Sequence, residues 1–202
     1  MMDISLNQDS TIARRQEIIK AATRLFHELG YDHASTRELA KTVGLSNAGI
    51  YYHFKDKEDI LFSILDGSVD KLIQSLKAAI KEGDDPQKNL TRITRNLLQV
   101  VMDDKMEIGL LTKESQRLSP EQLKSINKKK HESLKLIEKE VKRLANNGML
   151  KPFNLTAASF SLVAMTNWTY FWFDPAGPLS IEELSKEITE IFFHGVLRDH
   201  HK

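Results

Sequence analysis

The chain has 202 residues, 41% of them hydrophobic and 28% charged, with a formal net charge of +1. That is the composition of a soluble, well-packed protein of one large domain, or of a small domain joined to a larger one. It excludes a strongly basic nucleic-acid coat, and the absence of cysteine excludes disulfide scaffolds, thiol catalysis and the common zinc sites.

The opening stretch MMDISLNQDSTIARRQ lacks the apolar core of a secretory leader, and no apolar run approaches the ~18 residues that span a bilayer. The expectation is a cytoplasmic protein without membrane contact. Between residues 10 and 57, eight basic side chains stand against five acidic ones, a mild positive lean that permits a phosphate-facing surface without establishing one.

The spacing predicts helices almost throughout. A first helix from about Thr11 to Leu29 carries Ile18, Ala22, Leu25 and Leu29 on one face and stops at Gly30. Ser35-Thr36-Arg37-Glu38 is a capping box for a short helix to about Val43. Gly44 turns the chain, and Ser46 caps a second short helix through Tyr52. Asp56, with Asp59, opens a long helix to about Lys81. Pro86 sits in the first turn of the next helix, behind Asp85. Residues 103 to 118 hold one short helix. Ser119-Pro120-Glu121-Gln122 reads as another capping box, opening a polar helix to Asn147-Gly148. An aromatic helix over 155–173 and a last helix from Ser180-Ile181-Glu182-Glu183 to about Leu197 complete about nine.

Residues 36 to 57, TRELAKTVGLSNAGIYYHFKDK, have the requirements of a DNA-reading helix-turn-helix. Leu39 and Ala40 supply the inner face of the first short helix. Val43 and Leu45 flank the glycine turn, and Ile50 anchors the second helix from within. That leaves Asn47, Ala48, Gly49, Tyr51 and Tyr52 outward. Small residues there let backbone approach base edges, and polar or aromatic ones reach phosphates. Gly49 costs a helix about 1 kcal/mol against alanine. Close approach to DNA accounts for it, and so does tolerated drift.

The run Arg15-x-x-Ile18-Ile19-x-Ala21-Ala22-x-x-Leu25-Phe26-x-x-x-Gly30-Tyr31, then Thr36-x-x-x-Leu39-Ala40-x-x-x-Gly44-Leu45-Ser46, then Gly49-Ile50-Tyr51-Tyr52-His53-Phe54-Lys55-x-Lys57, resembles the N-terminal domain of the tetracycline repressor (TetR) family. The likeness covers about 45 residues. It implies an all-α fold, with a three-helix DNA-binding domain over 1–56 and a helical ligand-binding and dimerisation domain over 57–202. It also implies that Thr36 and Arg37 touch the DNA backbone or a groove edge, that Asn47, Ala48, Gly49 and Tyr51 face the major groove, and that Tyr52, His53 and Lys57 hold phosphates. The expected function is a ligand-responsive repressor released from its operator by a small apolar or amphipathic effector.

Residues 57 to 202 are far more than DNA reading needs. One recognition helix touches few bases, so a homodimer on a palindromic double-stranded operator is expected. The last two helices are its natural interface, with Ile181, Leu184, Ile188, Ile191, Phe192 and Leu197 forming the last helix's stripe. The aromatic helix, apolar nearly all round, is expected to be buried on all sides. It serves either as core and dimer contact, or, through Met165, Trp168 and Trp172 with Met102, Met106, Met149 and Phe153, as the lining of an apolar ligand cavity. The stretch from Asn167 to Phe173, with Gly177-Pro178-Leu179-Ser180, is similar to family members that sense fatty acyl-CoA. Lys128-Lys129-Lys130 is either a solvated face or an attractor for a phosphorylated ligand.

Nothing points to catalysis. The seven histidines lack metal-ligand spacing, His200-His201 reads as a frayed tail, and no nucleophile elbow, phosphate loop or dinucleotide fingerprint occurs. No enzyme activity, metal or cofactor is expected. Two other readings stay open here, a constitutive DNA-binding protein whose body only dimerises and an enzyme on a helical scaffold.

Overall fold

The computed structural model describes residues 2–197; His200 and His201 therefore lie outside the described residues. Those residues form nine α-helices, two 3-10 turns and no strand. The chain folds all-α with a helix-turn-helix near its N-terminus. The helices are α1 (Met2–Leu29), α2 (Thr36–Thr42), α3 (Asn47–His53), α4 (Lys57–Ala79), α5 (Pro86–Asp103), α6 (Lys105–Lys113), α7 (Pro120–Asn146), α8 (Leu155–Asn167) and α9 (Ile181–Val196). The first helix begins well before Thr11, because no glycine or proline interrupts residues 2–29.

The described residues divide into two compact units. One takes in the chain up to Ser68 together with Met106–Ile126, and the other Val69–Lys105 together with the chain from Asn127 onward. In the first unit Ile18, Phe26, Leu39, Ile50, Phe54 and Leu61 are fully buried or nearly so. Their burial from α1, α2, α3 and α4 gives two seven-residue helices a stability that such lengths lack in isolation. In the second unit α5 packs against α8 and α9. Its core runs from Leu76 through Leu90, Ile93, Ile137, Leu162 and Phe192.

Helix starts follow the capping signals in the sequence. Ser35 and Glu38 form a complete capping box, as do Ser180 and Glu183. The Asp85 carboxylate takes the Gln87 amide in front of α5, and the Asp56 carboxylate takes that of Asp59 at the start of α4. One signal resolves differently. The Ser119 hydroxyl accepts only a long bond from the Gln122 amide, 3.4 Å, and the Ser119 amide goes to the Glu58 carboxylate at 2.8 Å, not to Gln122. A charged acceptor outcompetes a neutral amide oxygen for one N–H.

The aromatic segment also departs from expectation. The α-helix ends at Asn167 and a 3-10 turn, Trp168–Phe171, follows. Here the hydroxyls of Thr166 and Thr169 donate to the carbonyls of Val163 and Thr166, competing with the α ladder. Nor is the segment buried all round. Its inward positions are Phe173, Leu162 and the small Ala158, Ser159, Thr166 and Thr169, the small ones letting α8 approach its neighbours closely. Phe160, Trp168, Phe171 and Trp172 stand outside, Trp168 being 65% exposed.

Candidate nucleic-acid interface

The turn between α2 and α3 is built from backbone bonds. The Leu45 amide reaches the Ala40 carbonyl at 2.8 Å and the Gly44 amide the Lys41 carbonyl at 3.2 Å. This Schellman pair needs a left-handed residue at its corner, and Gly44 supplies it with φ +64°. Ser46 then caps α3, its hydroxyl accepting from the Gly49 amide. Ile50 is the buried residue of α3, so the rest of that helix is held outward by a single anchor.

The residues singled out in the sequence fall on both helices and the start of α4. Arg37, Ala48, Tyr51 and Tyr52 are exposed, Tyr52 by 80%. Thr36, Asn47, Gly49, His53 and Lys57 are partly buried. The hydroxyls of Thr36 and Tyr51 lie 3.3 Å apart, joining α2 to α3 across their outer face. The rings of Tyr52 and His53 meet edge to face at 5.0 Å. Asn47 carries a buried side-chain oxygen without a partner among the described residues. Gly49 has a packing role invisible in the sequence, since it lies against the Leu45 side chain.

Lys57 is engaged inside the protein. Its ammonium donates to the Tyr31 carbonyl and stands 4.2 Å from the centroid of the Tyr31 ring. Burial pulls its pKa down, against the pull of Asp32. To reach a phosphate it would have to exchange Tyr31 for that anion. Tyr31 itself is pushed up to about 12, chiefly by burial and then by Glu58, Asp56 and Asp32.

Two further residues hold this region together. Arg14 donates to the Val43 carbonyl at the end of α2, and Arg15 to the His53 carbonyl at the end of α3, each at 2.7 Å. In sequence they are two cations at the start of an amphipathic helix, and only their facing position along α1 would have hinted at this use.

Among the described residues, those proposed for a ligand pocket differ in burial and in the unit they belong to. Met102, Met149 and Met165 are partly buried against the core of the second unit. Phe153, Trp168 and Trp172 stand at the surface, and Met106, also exposed, belongs to the first unit. An open groove of about 430 Å³, lined by Lys77, Ile80, Leu136, Lys139, Glu140 and Arg143 among others, contains none of them. Among the described residues no cluster of three metal-ligating side chains occurs, and no helix is long and apolar enough to cross a membrane.

Comparison with known proteins agrees with this geometry. The family described as "Bacterial regulatory proteins, tetR family" matches residues 18–64, and "Tetracyclin repressor-like, C-terminal domain" matches residues 83–196. The HTH-type transcriptional repressor KstR2 of Mycolicibacterium smegmatis is 22% identical over 186 residues, 91% of each chain. AibR, solved in complex with isovaleryl coenzyme A and operator DNA, superposes with a TM-score of 0.80 at 25% identity, over 89% of this chain and 98% of its own. A tetR-family regulatory protein from Rhodococcus RHA1 has the same fold, with a TM-score of 0.85 at 21% identity over 92% and 98% of the two chains. The family and these relatives are regulators of transcription, not enzymes. With one family match over the helix-turn-helix and another over more than half of the chain, this protein belongs to the TetR family of bacterial regulatory proteins.

Proposed function

We propose that the protein is a homodimeric repressor that reads a palindromic operator with α3 and releases it when the second unit takes up an amphipathic, anionic effector of the acyl-CoA class. The observation that carries the DNA-reading part is the exposed outer face of α2 and α3, where Arg37, Ala48, Tyr51 and Tyr52 project from a helix-turn-helix anchored by Ile50. Thr36, Asn47, Gly49 and His53 complete the contact surface. Lys57 joins it by leaving Tyr31 for a phosphate.

Lys130 supports the choice of an anionic effector. Of the three consecutive lysines, Lys128 is exposed and Lys129 pairs with Asp70 at 2.8 Å. Lys130 lies on the inward stripe of α7 with Leu134, Ile137 and Val141, where burial depresses its pKa and no described residue pairs with its ammonium. A cation so placed favours a ligand with an apolar body and an anionic head. AibR, whose known complex holds isovaleryl coenzyme A, supports the same class. Release requires that the effector bind the DNA-incompetent state more tightly, by roughly 1–3 kcal/mol of coupling. α4, which contributes residues to both units, is the element expected to carry that coupling.

The test is to select a duplex from a randomised pool with the purified protein. The duplex is then titrated off with octanoyl-CoA, octanoate and octanol. Release by octanoyl-CoA, weakened in Lys130→Met, is the expected result. No release by octanoyl-CoA, or equal release by octanol, sinks the effector assignment.

A further inference from the structure

The guanidinium of Arg15 makes two bonds of 2.7 Å in different directions, one to the His53 carbonyl on α3 and one to the Ser63 hydroxyl on α4. Its plane lies 4.0 Å from the centroid of the Phe54 ring, which is itself buried at the end of α3. The Ser63 hydroxyl donates to the Asp59 carbonyl at 2.8 Å, so it presents a lone pair to Arg15. The His53 carbonyl is one of the last in α3, where helix carbonyls lack intrahelical partners and the dipole is negative. A cation there satisfies both needs. Arg14 repeats the device one residue earlier, on the Val43 carbonyl at the end of α2, with its other nitrogen held by Glu17 at 2.5 Å.

We infer that Arg15 is a positioning residue for DNA reading: it clamps the C-terminal end of α3 to α4 and so sets the pitch at which α3 is presented, without itself touching DNA. The inference rests on the reading of α3 as the recognition helix. The chemistry requires arginine, because a planar fork with two separated N–H directions serves two acceptors while stacking on an aromatic face. An ammonium on a flexible stem does not. A phosphate contact would ask only for a charge. The clamp also gives α4 a direct hold on α3, since Ser63 belongs to α4 and any shift of that helix is felt at His53.

The experiment compares wild-type protein with Arg15→Lys, Arg15→Ala, Ser63→Ala and Tyr51→Ala on one duplex selected by the wild type, measuring affinity as a function of salt. Arg15→Lys is expected to lose about tenfold in affinity, with the slope of log K against log salt unchanged and a wild-type thermal melt. Ser63→Ala is expected to lose severalfold, and the Arg15→Lys/Ser63→Ala double variant to bind no worse than Arg15→Lys alone. Wild-type affinity in Arg15→Lys overturns the clamp. So does a fall of about 0.9 in the slope for Arg15→Ala that lysine restores, because that is the signature of a phosphate contact. If the Arg15 variants fail to fold, Ser63→Ala decides alone, and unchanged affinity in it overturns the proposal. Full affinity in Tyr51→Ala counts against α3 as the reader. Weakened Tyr51→Ala beside unaffected Arg15→Lys counts against the clamp only.

Discussion

Gly49 of α3 rests on Leu45 of the preceding turn, so closely that a Cβ added to Gly49 would stand 3.3 Å from the Cβ and the Cδ2 of Leu45. The glycine therefore has a reason inside the protein as well as any reason at the DNA. In Gly49→Ala, the ~1 kcal/mol gain in helix propensity is set against crowding of about 1–3 kcal/mol. A net loss near 1 kcal/mol is expected by chemical denaturation. The same substitution in a Leu45→Ala background should be neutral or stabilising. Equal effects in the two backgrounds would show that the contact does not matter.

Tyr31 gives the first unit a pH dependence at high pH. Its phenol ionises near 10 when unfolded and is pushed up to about 12 in the fold, by burial first and then by Glu58, Asp56 and Asp32, with Arg117 opposing. Between those values the unfolded chain has released its proton and the folded chain still holds it. The contribution is therefore complete below pH 10 and is lost as pH rises toward about 12. Lys57, held below its usual 10.5 mainly by burial, acts in the opposite sense. Comparing Tyr31→Phe with wild type isolates the tyrosine: the variant should lose less stability over that window. Tyrosinate absorbance should show one late-titrating phenol that disappears with the substitution.

The outward face of α8, the 3-10 turn after it and α9 leaves Phe160, Trp168, Phe171, Trp172 and Ile191 exposed, the last by 61%. Exposed apolar side chains of this size are candidates for the interface of the proposed dimer. Phe160→Glu and Ile191→Glu are expected to shift the protein from dimer to monomer in sedimentation and to redden tryptophan emission, with helicity retained. Dimers of unchanged strength in both variants would move the interface elsewhere.

Glu140 is a carboxylate only 1% exposed, held by the Asn89 amide at 2.9 Å and by Arg143 at 2.6 Å. Asn89 also bonds both the amide and the carbonyl of Lys81, tying the end of α4 to α5 and α7. Arg143→Met leaves a buried charge short of its cation and should cost about 3 kcal/mol. Adding Glu140→Gln should recover most of that loss. Denaturant midpoints measure both, and additive losses would mean the two side chains act independently.

Much of this protein was legible in one dimension because its determinants are local. Ser35 with Glu38, Asp85 with Gln87 and Ser180 with Glu183 set helix starts through bonds spanning two or three residues. Gly44 marks the turn because its φ of +64° is one that few other residues adopt. The ordered pattern from Arg15 to Lys57 was enough to suggest the family. What depended on distant partners was not legible. Glu58 takes the Ser119 amide from a cap that looked self-contained, 61 residues along the chain. Arg15 spends its charge on His53 and Ser63 rather than outward, and Lys57 is drawn to Tyr31, because each sits where packing brings an acceptor within reach. The tryptophans of the aromatic segment turn outward since small residues, not large ones, let α8 close on its neighbours. Sequence alone determined that the chain is helical and where the locally capped helices begin; the tertiary structure decided which way each long side chain points, since that depends on neighbours brought together only by folding.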